Sequence, residues 1–108
     1  MKLLEIKPST RKGKKLMAVF KKDDGKTITT HFGSANMRDF TLINDKDSPY
    51  YIKNSGAREK VKQSYLKRHA KRENWAAFLT AGSLSKHILW EKPTLKAAIA
   101  NYKRKFKL

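Results

Sequence analysis

Between Tyr65 and Phe106 the apolar residues recur at helical spacing, and lysines and arginines fill the positions between them. The stretch reads YLKRHAKRENW, then after four residues TAGSLSKHILWEKPTLKAAIANYKRKF, and it holds both tryptophans and two of the three histidines. Spacing of this kind selects helix. The rest of the chain must pack against those apolar stripes or extend from them. In the last segment Leu95, Ile99, Tyr102 and Phe106 follow one another at intervals of 4, 3 and 4, which is one face of an amphipathic helix. Pro93 suits a first helical turn, so this helix is expected to begin there. Before it, Thr80 is the expected N-cap of a helix running through Trp90, with Leu84, Ile88 and Leu89 inward. A further helix is expected from Ser55, as N-cap, to about Arg72. Its inward stripe, Ala57, Val61, Tyr65 and His69, is spaced by four.

The N-terminal part carries a different period. Leu16 to Lys22 and Lys26 to Phe32 are rich in β-formers and flank Asp23-Asp24-Gly25, a hairpin signal. With Asp24-Gly25 as a two-residue turn, Lys21 faces Ile28, Val19 faces Thr30 and Met17 faces Phe32. That register puts Met17, Val19, Ile28 and Phe32 on the core face. Leu3, Leu4 and Ile6, ended by Pro8, form a short edge strand. Gly33 to Asn54 reads as a long loop, anchored by Met37, Phe40, Leu42 and Ile43, with a packed tip at Pro49-Tyr50-Tyr51-Ile52. The expected fold is α+β, one domain over residues 1–108. It comprises a β-hairpin region of two or three strands (1–32), the long loop (33–54) and a basic region of about three helices (55–108). A chain of this length supports a modest core without staples. No apolar run is long enough for a transmembrane helix, and no signal-peptide pattern opens the chain. The absence of cysteine excludes disulfides and thiolate metal sites.

Charge narrows the partner. Twenty-six Lys and Arg against nine Asp and Glu leave +17 at pH 7. Residues 1–54 hold 12 basic and 6 acidic side chains, net +6, and residues 55–108 hold 14 and 3, net +11. An excess of this size favours polyanions. Seven cations on the first long helix (Arg58, Lys60, Lys62, Lys67, Arg68, Lys71 and Arg72) repel one another, and a bound polyanion relieves that repulsion. The phosphate-contacting candidates are therefore Arg58, Lys62, Lys67, Arg68, Lys71 and Arg72, with Lys103, Arg104 and Lys107 on the last helix. Arg11, Lys12, Lys14 and Lys15, in the loop from Ser9 to Lys15, are read as a basic arm.

Other chemistries fare less well. Tyr65, Trp90 and Tyr102 sit on apolar stripes, so core packing is favoured over base stacking; Trp75, between helices, is left open. His69-Ala70-Lys71-Arg72 matches the HxxR element of tyrosine recombinases, but the chain is too short for that catalytic domain and Tyr102 belongs to a stripe. His31, His69 and His87 lack metal-ligand spacing. Thr80-Ala81-Gly82-Ser83 is better explained by helix capping than by a phosphate seat. No carboxylate pair or activated nucleophile stands out, so no enzyme activity, cofactor or metal is expected.

The elements RENW, TAGSLS, ILWxKPTL and YKxxF, together with FGSANMRDFT at Phe32 to Thr41, resemble an uncharacterised family of small basic proteins encoded by large DNA viruses of algae and protists. The segment DSPYYIKN looks like an insertion relative to that family. The resemblance implies a viral origin and one folded unit of hairpin plus helices, and it supplies no activity. The leading expectation is a non-enzymatic, virion-associated DNA-binding protein. It would grip the phosphate backbone without sequence preference to neutralise or compact the genome, with DNA ahead of RNA as partner. The location expected is the virion or a viral replication site in the host, and not a secreted protein. The alternative is a minor capsid or internal scaffold protein that binds acidic surfaces of other virion proteins or membrane, with Tyr50, Tyr51 and Ile52 as docking groups.

Overall fold

A computed structural model describes residues Met1–Leu108. Strands β1 (Lys2–Pro8), β2 (Lys14–Lys21) and β3 (Thr27–Ser34) form an antiparallel sheet with β2 in the centre. Four helical segments follow: α1 (Phe40–Ile43), α2 (Ser55–Ala70), α3 (Ala81–Leu84), which runs on as a π-helical turn over Ser85–Trp90, and α4 (Leu95–Phe106). The α+β architecture is the one the two sequence periods call for.

The hairpin register differs from expectation by one residue. Lys22 N–H donates to the Lys26 carbonyl at 2.8 Å and Gly25 N–H to the Lys22 carbonyl at 2.9 Å, so the loop has three residues, Asp23-Asp24-Gly25. Gly25 takes φ +86°, the left-handed conformation such a loop requires. Phe20 now faces Ile28, Ala18 faces Thr30 and Leu16 faces Phe32. A slip of one residue exchanges the two faces of a strand. Ala18 and Phe20 accordingly have no exposed surface and join Phe32, which is buried as expected; of the other residues expected inside, Met17 is buried and Val19 and Ile28 are only half-buried.

β1 solves a related problem. Leu3 and Ile6 are three apart and would lie on opposite faces of a regular strand. Leu3 pairs with Phe20 and Glu5 with the adjacent Val19, so Leu4 is the extra residue of a β-bulge. Leu3 and Ile6 then share the core face, and Leu4 is left 49% exposed.

The region 33–54 is less loop-like than expected. Asp39 caps α1, accepting from Leu42 N–H at 3.0 Å. Phe40 and Ile43 anchor it in the core, but Met37 is 59% exposed and anchors nothing. Ile52 N–H donates to the Ile43 carbonyl at 3.0 Å and the Tyr50 hydroxyl to the Asn36 carbonyl at 3.0 Å, which closes the tip onto the body. Helix α2 is capped by Asn54, not Ser55, through a 2.9 Å bond from Ala57 N–H, and it ends at Ala70 rather than Arg72. Helix α4 begins at Leu95 with Thr94 as its cap, so Pro93 stands outside it. Leu95 is 39% exposed, and Ala98 and Tyr102 form the buried line.

The deepest packing lies at the turn after α3. Leu84, Ile88 and Leu89 are buried as their spacing requires, joined by Ser83, His87 and Trp90. Four consecutive buried residues, 87–90, mark an element enclosed on all sides rather than one resting on a stripe. The Tyr102 hydroxyl donates to the Phe78 carbonyl, and burial pushes its pKa upward.

Candidate functional site

Helix α2 has no fully buried residue. Val61, Tyr65 and His69 turn one half-buried row toward the body, and Tyr65 stacks at 4.2 Å on both Trp90 and His69. These rings pack on one another, as the stripe implied. Burial, with the Glu73 carboxylate nearby, raises the Tyr65 phenol to about 12. The neighbouring row, Lys60, Ser64 and Arg68, is exposed.

That row borders a cleft of about 680 Å³. Its strand side is formed by Lys14 and Lys15 at the start of β2, Gly33 and Ser34 at the end of β3, and the loop from Met37 to Asp39. Residues 60–69 of α2 supply the second wall, and Ala81, Gly82, Ser85, Leu89 and Trp90 supply the third. Gly33 has φ +78°, and a Cβ there would lie 2.7 Å from Leu89 Cδ1, so only glycine lets the sheet approach this closely.

The electrostatics of the cleft divide into paired and free groups. Lys15 Nζ lies 2.5 Å from Asp39 Oδ2 and 2.7 Å from the Met37 carbonyl, so its charge is matched internally. Lys14, Arg38, Lys60 and Arg68 have neither a carboxylate within 4.0 Å nor a side-chain hydrogen bond. Glu73, packed directly on Gly82, likewise has no cation or donor on its carboxylate. Thr80 caps α3 by accepting from Ser83 N–H at 3.2 Å, and Ser83 donates to the Trp75 carbonyl at 2.9 Å. Both hydroxyls of that motif are engaged in the fold.

The structure distributes the sequence-derived candidates among different tasks. Lys67, Arg68, Lys71 and Arg72 are exposed on or just beyond α2, and Lys103, Arg104 and Lys107 are exposed on or beyond α4. Arg58 is tied to the Ile52 carbonyl at 2.7 Å, and Lys62 to the Glu91 carbonyl at 2.9 Å with its ammonium over the Phe40 ring. These two fasten α2 to the body. The segment Ser9 to Lys15 is a closed hairpin loop rather than a free arm, since Ser9 N–H donates to Lys15 O and Lys14 N–H to Arg11 O, each at 3.2 Å. Arg11, Lys12 and Lys14 are exposed on it. Only Lys14, Lys15 and Arg68 of the thirteen candidates line the cleft. Arg38 and Lys60 were missed. Lys60 has a sequence signal, the i, i+4, i+8 row with Ser64 and Arg68, whereas Arg38 lies in an irregular loop and has none.

Sheet, surface helix and cleft together define a small basic α+β protein whose cations outnumber their internal partners. A model described as a Family of unknown function (DUF5754) matches residues 4–69, well over half of the 108, and the chain belongs to that family. The match spans the sheet except the first two residues of β1, all of α1 and nearly all of α2. The third wall of the cleft and the elements RENW, ILWxKPTL and YKxxF lie beyond it, while FGSANMRDFT lies within it. No curated protein and no solved structure matches the chain. No helix is long and apolar enough to cross a membrane.

Proposed function

We propose that this chain is a non-enzymatic DNA-binding protein that engages the phosphate backbone without sequence preference. One observation carries the proposal. Of its 26 Lys and Arg side chains, only Lys7, Lys15, Lys22 and Lys86 have a carboxylate within 4.0 Å, which leaves 22 without one. Self-repulsion of that order opposes the folded state, and a polyanion relieves it. The contacts proposed are Lys67, Arg68, Lys71 and Arg72, then Lys103, Arg104 and Lys107, with Arg11, Lys12 and Lys14 on the hairpin loop. A viral origin, with the genome as the polyanion and the virion or replication site as the location, belongs to the same proposal. It is supported by the resemblance of the RENW, ILWxKPTL and YKxxF elements. The capsid or scaffold alternative finds less support, because Tyr50 and Ile52 pack on the chain's own core and the Tyr51 ring lies under Arg58.

A salt titration with duplex DNA tests the proposal. With about six to ten phosphates engaged, affinity should fall about 10³- to 10⁵-fold between roughly 50 and 200 mM salt. Binding that is absent at about 50 mM, or indifferent to salt, overturns it.

A further inference from the structure

The cleft is more selective than a charged surface. Four unpaired cations, Lys14, Arg38, Lys60 and Arg68, stand around it, yet Glu73 presents there a carboxylate that nothing in the chain satisfies. An unmatched carboxylate weakens the grip on any ligand that is only anionic, such as a sulfated polysaccharide or the outer face of a duplex. It favours a ligand that joins phosphates to hydrogen-bond donors. The aromatic wall adds a third requirement. His69 ends the stack that runs from Trp90 through Tyr65, and it is half-buried where Trp90 is only 7% exposed, so a flat ring can extend the stack at His69. A volume of about 680 Å³ lies within the range that encloses a ligand of nucleotide size.

Phosphate, flat ring and ring-edge donor occur together in a nucleotide whose base is unpaired. In a duplex the Watson–Crick edges are consumed by pairing and the ring faces by stacking, so a paired base cannot lie on His69 while turning that edge to Glu73; the donors that remain open there face the grooves. We infer that the cleft seats an unpaired nucleotide of a single DNA strand, its flanking phosphates held by Lys14, Arg38, Lys60 and Arg68, its base stacked on His69 and its amino group donating to Glu73. This inference rests on the nucleic-acid-binding reading above and adds to it a site and a strand state.

Charge and recognition give opposite signs at one residue, which makes the test sharp. Fluorescence polarisation is read with a labelled oligo(dC) strand, the same strand annealed to its complement, and an oligo(rC) strand, at about 150 mM salt. The wild type should favour the single strand over the duplex by at least about fivefold, the lower end for one stacked base. Diffuse charge alone predicts the reverse, because a duplex has the denser phosphate array. Replacing Glu73 by the near-isosteric methionine removes a negative charge, so duplex binding should tighten, while the single strand loses its acceptor and should weaken. His69→Ala should abolish the preference with little effect on the duplex. The pair Lys103→Gln and Arg104→Gln, which are not among the residues lining the cleft, should weaken both forms alike. Circular dichroism of each variant verifies the fold, and amide shifts of the wild type on adding oligo(dC) should be largest at Ser64, His69 and Gly82. Duplex binding equal to or tighter than single-strand binding, with Glu73→Met strengthening both, overturns the cleft assignment and leaves the proposed function standing. Tighter binding of oligo(rC) than oligo(dC) overturns the assignment to DNA. Absence of salt-dependent binding to every strand defeats both proposals together.

Discussion

Helix α2 and the turn that follows α3 lie against one another, at the Tyr65–Trp90 stack, and spend their polar residues in opposite ways. On α2 no residue is fully buried, and Lys60, Lys67 and Arg68 face solvent without partners. In Ser85–Trp90 and its surroundings the polar groups turn inward. The His87 ring has no exposed surface, and its nitrogens lie 2.7 Å from Glu91 Oε2 and 3.0 Å from the Trp75 carbonyl. Glu91 also meets Lys86 at 3.2 Å and Asn101 at 3.1 Å. Cations and histidines near one another in sequence therefore differ in consequence. Inside, they specify the packing of α4 on the turn. Outside, they contribute little to folding and remain available to a partner.

The largest effect that tests this contrast is expected in the buried turn. Ile88→Ala should lower unfolding free energy by about 2–5 kcal/mol in urea titration, the usual cost of a deleted core side chain. A loss below about 1 kcal/mol would mean that this turn is not the centre of the core. Next, His87→Leu removes the ring that links the Trp75 carbonyl to Glu91, although Ser83 stays on the carbonyl and Lys86 and Asn101 on the carboxylate, and should cost about 1–3 kcal/mol in the same titration.

Acid should act through the same network. Burial alone would raise the Glu91 carboxyl, but the hydrogen bond with His87 and the charges of Lys86 and His87 outweigh it and hold the group below the ordinary value of 4.5. Because the folded value is the lower one, its contribution is fully present above pH 4.5 and is lost as pH falls through the folded value. Melting temperature should decline on acidification below pH 4.5, less steeply in Glu91→Gln; identical slopes would remove Glu91 from the account.

Smaller effects are expected on α2. Asn54→Ala removes the cap on Ala57 N–H and should cost about 1 kcal/mol, read by thermal melts. Smallest of all, Lys67→Gln with Lys71→Gln should change stability by no more than about 0.5 kcal/mol. The same pair should reduce the log–log salt slope of duplex binding by about 1.8, since each phosphate contact contributes about 0.9. A stability loss as large as that of His87→Leu would erase the distinction between the two regions.

Much of the architecture was legible because period is a local property. The alternation around Asp-Gly announced a hairpin, and the stripes of α2, α3 and α4 announced helices whose ends shifted by only one or two residues. Facing and depth were less legible. Whether Asp23-Asp24-Gly25 closes as two residues or three is a small energetic choice, yet it decides which face of β2 meets the core. The Leu4 bulge could be recognised only once β1 was paired with β2. For the cleft, Lys14, Lys15 and Arg68 were legible as cations and Lys60 as part of a helical row. Glu73 and Arg38 gained meaning only from their neighbours.

The sequence by itself determined the charge excess, the order of the strands and of the helices after residue 54, and the helical stripe from Tyr65 toward Phe106, because composition and periodicity are written residue by residue. Tertiary structure alone decided which cations are matched. Lys15 found Asp39, Arg58 and Lys62 found backbone carbonyls, and Lys14, Arg38, Lys60 and Arg68 found nothing. Pairing depends on distances across the fold of a few ångströms, and no one-dimensional pattern carries them.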